Sequence, residues 1–285
     1  TTYMEHNSVL RPLYELEQKG VSLSITAPDP EAVAGEIRNN TKAVVMTHGS
    51  NVTGEVFDIR RVGQICRERG ILFIVDSAQT AGVFPISMEE DRIDILCFAG
   101  HKGLLGPQGV GGLCLREGIH IRSLLTGGSG FDSFSKTHPD RMPEALEAGT
   151  LNGPGIAGLE AGIRWLMSAG LDRIREHEQN HIRLFYQLIR DIPGIKIYGI
   201  DEHSDITKRT AVLSCNLEGY DSSAVSDELA ERFGVQTRSG AHCAPLVHEH
   251  YQTREQGMVR FSFGYDVSEQ QIRFAADALK QTAED

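Results

Sequence analysis

Short apolar runs alternate with amphipathic stretches along most of this chain, and turn residues separate them. ILFIV (71–75) and ILCFA (95–99) are rich in branched and aromatic side chains and too short for helices, so they read as buried strands. KAVVMTH before them and GGLCL after them read the same way, and VSLSIT (21–26) reads as one more strand. Helical pattern fills the intervals. Pro30 opens EAVAGEIRN with proline in its first turn, and Pro12 suits the first turn of an earlier helix, which leaves His6 in a polar turn. Asp58 caps IRRVGQICRER, whose Ile59, Val62, Ile65 and Cys66 share one face, and Gly70 ends it in a left-handed conformation. This βαβα order predicts an α/β fold with a mainly parallel sheet flanked by helices.

Beyond Leu124 the pattern lapses. Residues 124–152 are polar, glycine-rich and without clear period, and a loop of this length in a compact domain tends to be functional or mobile. Two helical stretches follow, IAGLEAGIRWLMSAG and LDRIREHEQNHIRLFYQLIRDI, the second with Leu171, Ile174, Ile182, Phe185 and Ile189 at helical spacing. Strands around IKIYG and TAVLSCNL, a helix over SSAVSDELAERFG, a strand through MVRFSFG and a closing helix from Ser268 complete a smaller α+β unit. We therefore divide the chain into residues 1–160 and residues 161–285, the second part a linker helix and a small C-terminal domain. Between helix and last strand of that domain, VQTRSGAHCAPLVHEHYQT reads as an irregular loop carrying Arg238, His242 and Cys243.

Charge and cysteine content narrow the classes of function. At 285 residues with a formal charge of −11 and no clustered basic face, the chain is a poor partner for a phosphate backbone. No stretch approaches the ~20 apolar residues of a membrane span, which argues against a membrane partner. Five cysteines, odd in number and never paired as C-x-x-C, fit neither a disulfide framework nor a structural zinc site, and a reducing cytoplasm is the simplest setting. Thr1 lacks the charged start and apolar core of a signal peptide, and the chain enters patterned sequence at once, as though it began inside a domain.

Two strand ends carry the chemistry. The run at 71–75 delivers Asp76 and Gln79; the run at 95–99 delivers His101 and Lys102, followed by the glycine-rich GLLGPQGVGG. A lysine leaving a strand into small residues suits a Schiff-base nucleophile, because burial lowers its pKa and frees the amine to attack a carbonyl. The sequence GHKGLLGPQG does not follow the G-x-x-x-x-G-K-[ST] order of a nucleotide loop. An aspartate in the same crevice is what pyridoxal phosphate needs, since a carboxylate on the pyridine nitrogen keeps it protonated and lets the ring take up electrons. The plainer reading of Asp76 is a helix cap, and of Asn51, in the loop GSNVTGEV, an ordinary turn residue. A cysteine between a histidine and a proline on a loop, as Cys243 is, is not where a core thiol normally sits.

The blocks EHNSVLRP, SNVTGEV, VDSAQTAG, AGHKGLLGPQGVGGL, EAGTLN, RSGAHC and MVRFSFG, in this order, resemble the class V aminotransferases, most closely the cysteine desulfurase and selenocysteine lyase branch. That resemblance implies a fold type I pyridoxal-5'-phosphate enzyme, with residues 1–160 as the cofactor-binding domain. By the same resemblance Lys102 would be the Schiff-base lysine and proton shuttle, Asp76 would pair with the pyridinium, Gln79 with the ring hydroxyl, and His6 would stack on the ring. His101 would contact the phosphate, and Thr150 would reach the phosphate of a neighbouring subunit, which implies a homodimer. Asn51 and Arg260 would hold the substrate carboxylate, with Arg238 close by. Cys243 would take the sulfur of L-cysteine as a persulfide and release L-alanine, beside His242 and Arg238, neighbours that are cationic or able to become so and thus favour a thiolate. A sulfur-acceptor protein is then an expected partner.

Two departures from the family pattern stand out. Ala99 occupies a position where relatives commonly carry a phosphate-binding serine, and the family's upstream turn that seats the phosphate on a helix N-terminus is absent from this sequence. The alternatives to a desulfurase are an aminotransferase or selenocysteine lyase on the same scaffold and, in a different class, a catalytically incompetent fragment. No metal is expected, because His248-Glu249-His250 is not H-E-x-x-H and reads as a solvated loop. Cys66, Cys97, Cys114 and Cys215 fall within helix or strand patterns and read as core.

Overall fold

A computed structural model describes residues 1–284. The chain opens on a helix, α1 (Asn7–Gln18), that begins at Asn7 rather than at Pro12. His6 is the reason: its Nδ1 accepts the Ser8 amide at 3.1 Å and so satisfies one of the orphan donors of the first turn. Pro12 then sits inside the helix. Next come α2 (Pro30–Glu36), β1 (Ala43–Thr47), α3 (Ile59–Glu68) and β2 (Leu72–Asp76). Both helices are capped by the aspartate before them. Asp29 Oδ1 accepts Glu31 N and Ala32 N at 3.0 Å each, and Asp58 Oδ1 accepts Arg61 N at 2.9 Å. With β3 (Ile95–Ala99) and β4 (Gly111–Leu115) the first sheet is complete, in the order β1-β2-β3-β4. The first three strands are parallel and β4 is antiparallel to β3.

VSLSIT does not become a strand. Its only pairing is an isolated parallel bridge between Thr2 and Thr26, and a groove of about 490 Å³ lined by Val21, Leu23, Val44 and Val45 separates it from β1. Residues 1–3 bond to this segment at Ser24 and Thr26, too short a contact to extend into a ladder.

Residues 116–152 contain a single 3-10 turn at Glu144–Leu146 and expose Leu124 and Phe134 almost fully. Two long helices, α4 (Gly153–Ala169) and α5 (Leu171–Ile189), lead to the second sheet. It comprises β5 (Ile195–Tyr198), β6 (Val212–Leu217) and a third strand that follows two more helices, α6 (Ser222–Phe233) and α7 (Pro245–His250). That strand is β7 (Val259–Ser262), and α8 (Glu269–Glu284) closes the chain; the sheet is antiparallel throughout, in the order β5-β6-β7. Helix α7 replaces part of the irregular loop expected there. Pro245 starts it, and it is only six residues long, below the length at which periodicity is readable.

The cores are separate. One gathers Val44, Met46, Val62, Cys66, Phe73 and Val75 beneath α2 and α3. The larger one joins α5, α6 and α8 to the second sheet through Phe185, Leu213, Leu229, Phe261 and Leu279. Among the cysteines, Cys66 and Cys215 are core, Cys97 is half-buried, and Cys114 is exposed, contrary to its strand-pattern reading, because β4 is a sheet edge. No helix among the described residues is long and apolar enough to cross a membrane.

Candidate active site

Parallel pairing aligns the carboxyl ends of β2 and β3, with Asp76 in register with Cys97. Asp76 is the last residue of β2, and Lys102 lies three residues beyond the end of β3, so both side chains emerge at the same edge of the sheet. The turn after Asp76 is tied down locally: Asp76 Oδ1 accepts Ala78 N at 2.9 Å, and Ser77 Oγ donates to Cys97 O at 2.8 Å. Glycine is required where this turn meets the lysine loop. A Cβ on Gly82 would run into Gly103 O, and one on Gly103 would lie 2.5 Å from Ala81 O. Backbone therefore packs on backbone, and Lys102 is carried up against the segment holding Gln79.

Lys102 opens to the crevice, yet desolvation by the walls holds its ammonium below the ordinary lysine pKa. Asp76 opposes that shift, while the positive charges of Arg260 and Arg238 add to it. The amine is thus pushed toward its nucleophilic, neutral form. His6, at the N-cap of α1, is lowered by burial first and then by Lys102, with Asp76 opposing, so the imidazole lies within electrostatic reach of both groups. A cavity of about 620 Å³ runs behind Lys102, lined by Gln79, Arg260, Glu178, Trp165 and Tyr265.

From the second sheet come the arginines and the thiol. Arg238 and Arg260 form an isolated antiparallel bridge, with Arg238 N to Arg260 O at 3.2 Å and Arg260 N to Arg238 O at 2.8 Å. Arg238 Nη2 reaches to 3.8 Å from Cys243 Sγ. Cys243 and His242 both have positive φ, 56° and 52°, a costly conformation for non-glycine residues that the surroundings must hold in place. They do so from the first half of the chain: Asn51 Nδ2 donates to His242 O at 2.8 Å, and Asn7 N to Cys243 O at 2.7 Å. Arg260 Nη1 in turn donates to Asn51 O at 3.0 Å, while its Nε is buried without a partner.

His6, Asp76, Lys102, Arg238 and Arg260 thus share one electrostatic neighbourhood, and Gln79, Asn51 and Cys243 border it. His101 and Thr150 are exposed, Thr150 on the 147–152 connection with no hydrogen bond to the others. One expectation is overturned. Burial pushes His242 down to about 4, so it is a neutral ring stacked 5.7 Å from His248 and not a cation beside the thiol; the positive charges that face Cys243 are those of Arg238 and Arg260. His248 is likewise buried, bonded to Thr253 Oγ1 at 2.9 Å, rather than solvated.

Three titratable groups at this site gave no sequence signal. Glu5, next to His6, is buried and pushed up to about 7 by desolvation, with Oε1 accepting Thr47 N at 3.1 Å and Thr2 Oγ1 at 2.7 Å. Glu178, on the cavity wall, is also raised to about 7 by burial. His48, whose backbone N–H donates to Asp76 O at 2.9 Å, is held near 4 by burial. Polar residues give no pattern that announces burial.

An α/β architecture whose parallel strands present a lysine and an aspartate at one edge defines a fold type I pyridoxal-phosphate enzyme. The Aminotransferase class-V family model matches residues 1–274, and the chain belongs to that family. It is 31% identical over 291 residues to a probable cysteine desulfurase of Methanothermobacter thermautotrophicus, covering 98% of this chain and 72% of the relative. With a cysteine desulfurase of Nostoc sp. it shares 29% identity over 300 residues, covering 100% and 70% of the two chains. The apo structure of the cysteine desulfurase from Thermococcus onnurineus NA1 superposes with a TM-score of 0.89 at 30% identity, covering 99% of this chain and 72% of the other. The family depends on pyridoxal phosphate, and the donor set here fits its ring: a carboxylate, a partly desolvated amine and an imidazole converge, with the orphaned Arg260 Nε nearby.

Proposed function

We propose that this chain is a pyridoxal-phosphate-dependent cysteine desulfurase that converts L-cysteine to L-alanine and receives the sulfur on Cys243. The observation that carries the reading is the convergence of the Lys102–Asp76 edge with a thiol whose loop is tied to Asn51 and whose sulfur faces Arg238. Asp76 would hold the cofactor by its ring nitrogen, Gln79 by its hydroxyl, His6 by its ring face and His101 by its phosphate. When bound, the cofactor supplies an electron sink that acidifies the substrate Cα and loosens the carbon–sulfur bond. Lys102 moves the proton at Cα, for which a lowered pKa suits it. Arg260 and the free N–H of Asn51 bind the substrate carboxylate. Cys243 Sγ attacks the substrate sulfur; the new sulfur–sulfur bond forms as the carbon–sulfur bond breaks, the electron pair stays with the carbon skeleton, and protonation there gives alanine.

We read residues 1–160 as the cofactor domain and 161–285 as linker helix and small domain. A second copy supplying Thr150 is supported by the exposed Leu124, Leu125, Phe131 and Phe134 of the 116–152 segment and by Ile156, Trp165 and Met167 on α4. Five free cysteines support a reducing, cytoplasmic setting, and the persulfide calls for a sulfur-acceptor partner. The test is alanine and sulfide release from L-cysteine, with cofactor and a thiol reductant, by the wild type and Cys243→Ala. Release by the wild type and loss of at least about 100-fold in the variant is expected; equal release by both contradicts the persulfide role.

A further inference from the structure

The loop that carries Asn51, residues 50–56, leaves the first sheet and lies flat on β6 of the second. Four successive carbonyls on it are each held by a different donor from that side. Arg260 Nη1 takes Asn51 O at 3.0 Å, Ser214 Oγ takes Val52 O at 2.6 Å, Arg209 Nη2 takes Thr53 O, and Thr210 N takes Gly54 O at 2.8 Å. The loop cannot satisfy these oxygens itself, because its own amides are turned inward: Val52 N and Thr53 N go to Ser50 Oγ, and Gly54 N to Ser50 O. Contact is so close that a Cβ on Gly54, already at φ +79°, would collide with Val212 O. Arg209, Thr210 and Ser214 are all buried. The Arg209 fork spans the junction, with Nη1 on Gly199 O, after β5, and Nη2 on Thr53 O; burial lowers its pKa and the carboxylate of Glu55 partly restores it.

We propose that Arg209 and Ser214 are positioning residues that set the register of the Asn51 loop against Arg260, so that the two carboxylate donors face one point and Cys243 is held beside it. The inference rests on the desulfurase reading for the roles of Asn51, Arg260 and Cys243. Its geometric basis is that Val52 O and Thr53 O follow Asn51 directly, so slack in either bond moves Asn51. Because Asn51 Nδ2 also holds His242 O, the same slack reaches the thiol. Lysine at 209 reaches one carbonyl and not two, so it restores the function in part.

The test uses the full chain with Arg209→Met, Arg209→Lys and Ser214→Ala. Steady-state constants are measured for L-cysteine and for its methyl ester, which keeps amine and thiol but lacks the carboxylate. Amide exchange of residues 50–56 and the rate of Cys243 alkylation are measured without cofactor. Arg209→Met is expected to raise KM for L-cysteine about tenfold and to leave KM for the ester unchanged, while the shifted thiol lowers kcat about threefold for cysteine and ester alike. Arg209→Lys and Ser214→Ala are expected to show about a threefold rise. In all three, amides 52–54 exchange faster and Cys243 alkylation changes rate. Equal rises for cysteine and ester, or wild-type exchange at residues 50–56, overturn the proposal. If Arg209→Met does not fold, Ser214→Ala decides by the same readouts. Should the wild type release no sulfide from cysteine, the desulfurase reading fails, while exchange and alkylation still decide whether the clamp positions the loop.

Discussion

In the four-stranded sheet the reactive side chains sit on a strand tip, Asp76, or in the turn just beyond one, Lys102, and the edge strand β4 stays open to solvent. In the three-stranded sheet every residue of β6 is buried, and the reactive side chains sit mostly on loops that this core anchors. The first arrangement places Asp76 and Lys102 locally, through the register of two parallel strands and the backbone contact of the turns that follow them, Gly82 against Gly103. The second places Cys243 through distant contacts, Asn51 to His242 O and Asn7 to Cys243 O, and so depends on both halves of the chain being packed together. The lysine and aspartate are thus a local achievement and the thiol a global one. Damage to the second core should misplace the Cys243 thiol while leaving the first pair in register.

The largest effect is expected from Phe185→Ala. Phe185, on α5, is fully buried against the rings of Phe261 and Phe263, and its loss should cost about 3–5 kcal/mol in denaturant unfolding. A loss below about 1 kcal/mol would mean that the second core is not the anchor described here. A smaller effect belongs to Glu178, on the cavity wall between the sheets. Its folded pKa of about 7 lies above the ordinary 4.5, so its stabilising contribution is fully present below pH 4.5 and is lost as pH rises through about 7. Glu178→Gln should therefore gain stability relative to the wild type across that window, by about 1–2 kcal/mol once partial solvent access is allowed for, and by a constant amount above pH 8. A thermal midpoint difference flat from pH 4.5 to 8 would contradict a buried carboxyl there. His48 and His242, both held near 4, act in the opposite sense, losing stability as pH falls from 6.5 through 4, which is why the variant difference and not the raw profile is the readout. Least of all is expected from Leu113→Ala on exposed β4, within about 0.5 kcal/mol for the isolated chain, and a larger cost appearing only at high protein concentration would mark this edge as covered by a second copy.

Much of the first sheet was legible because β2 and β3 are apolar runs rich in branched side chains, the first ending in Asp76 and the second followed closely by Lys102, and the α/β class follows from the alternation of strands with capped helices. The site was legible at those two positions for the same reason. What escaped has physical causes. VSLSIT alternates well but lies across a groove from β1, so pattern without a ladder to join gave no strand. Helix α7 is too short to show a period. The burial of Glu5, Glu178 and His48 depends on what packs over them from distant parts of the chain, and the neutrality of His242 depends on desolvation that a neighbouring arginine in sequence does not reveal. The carbonyl clamp of Arg209 and Ser214 joins residues more than 150 positions apart.

The central claim, that an amine and a carboxylate at adjacent strand ends take hold of one pyridoxal ring, is tested most directly by adding the cofactor to the full chain, reducing with borohydride and mapping the modified peptide. The account predicts stoichiometric attachment at Lys102, abolished in Lys102→Ala and weakened at least about tenfold in cofactor affinity in Asp76→Ala. Attachment at another lysine, or none at saturating cofactor, would contradict it.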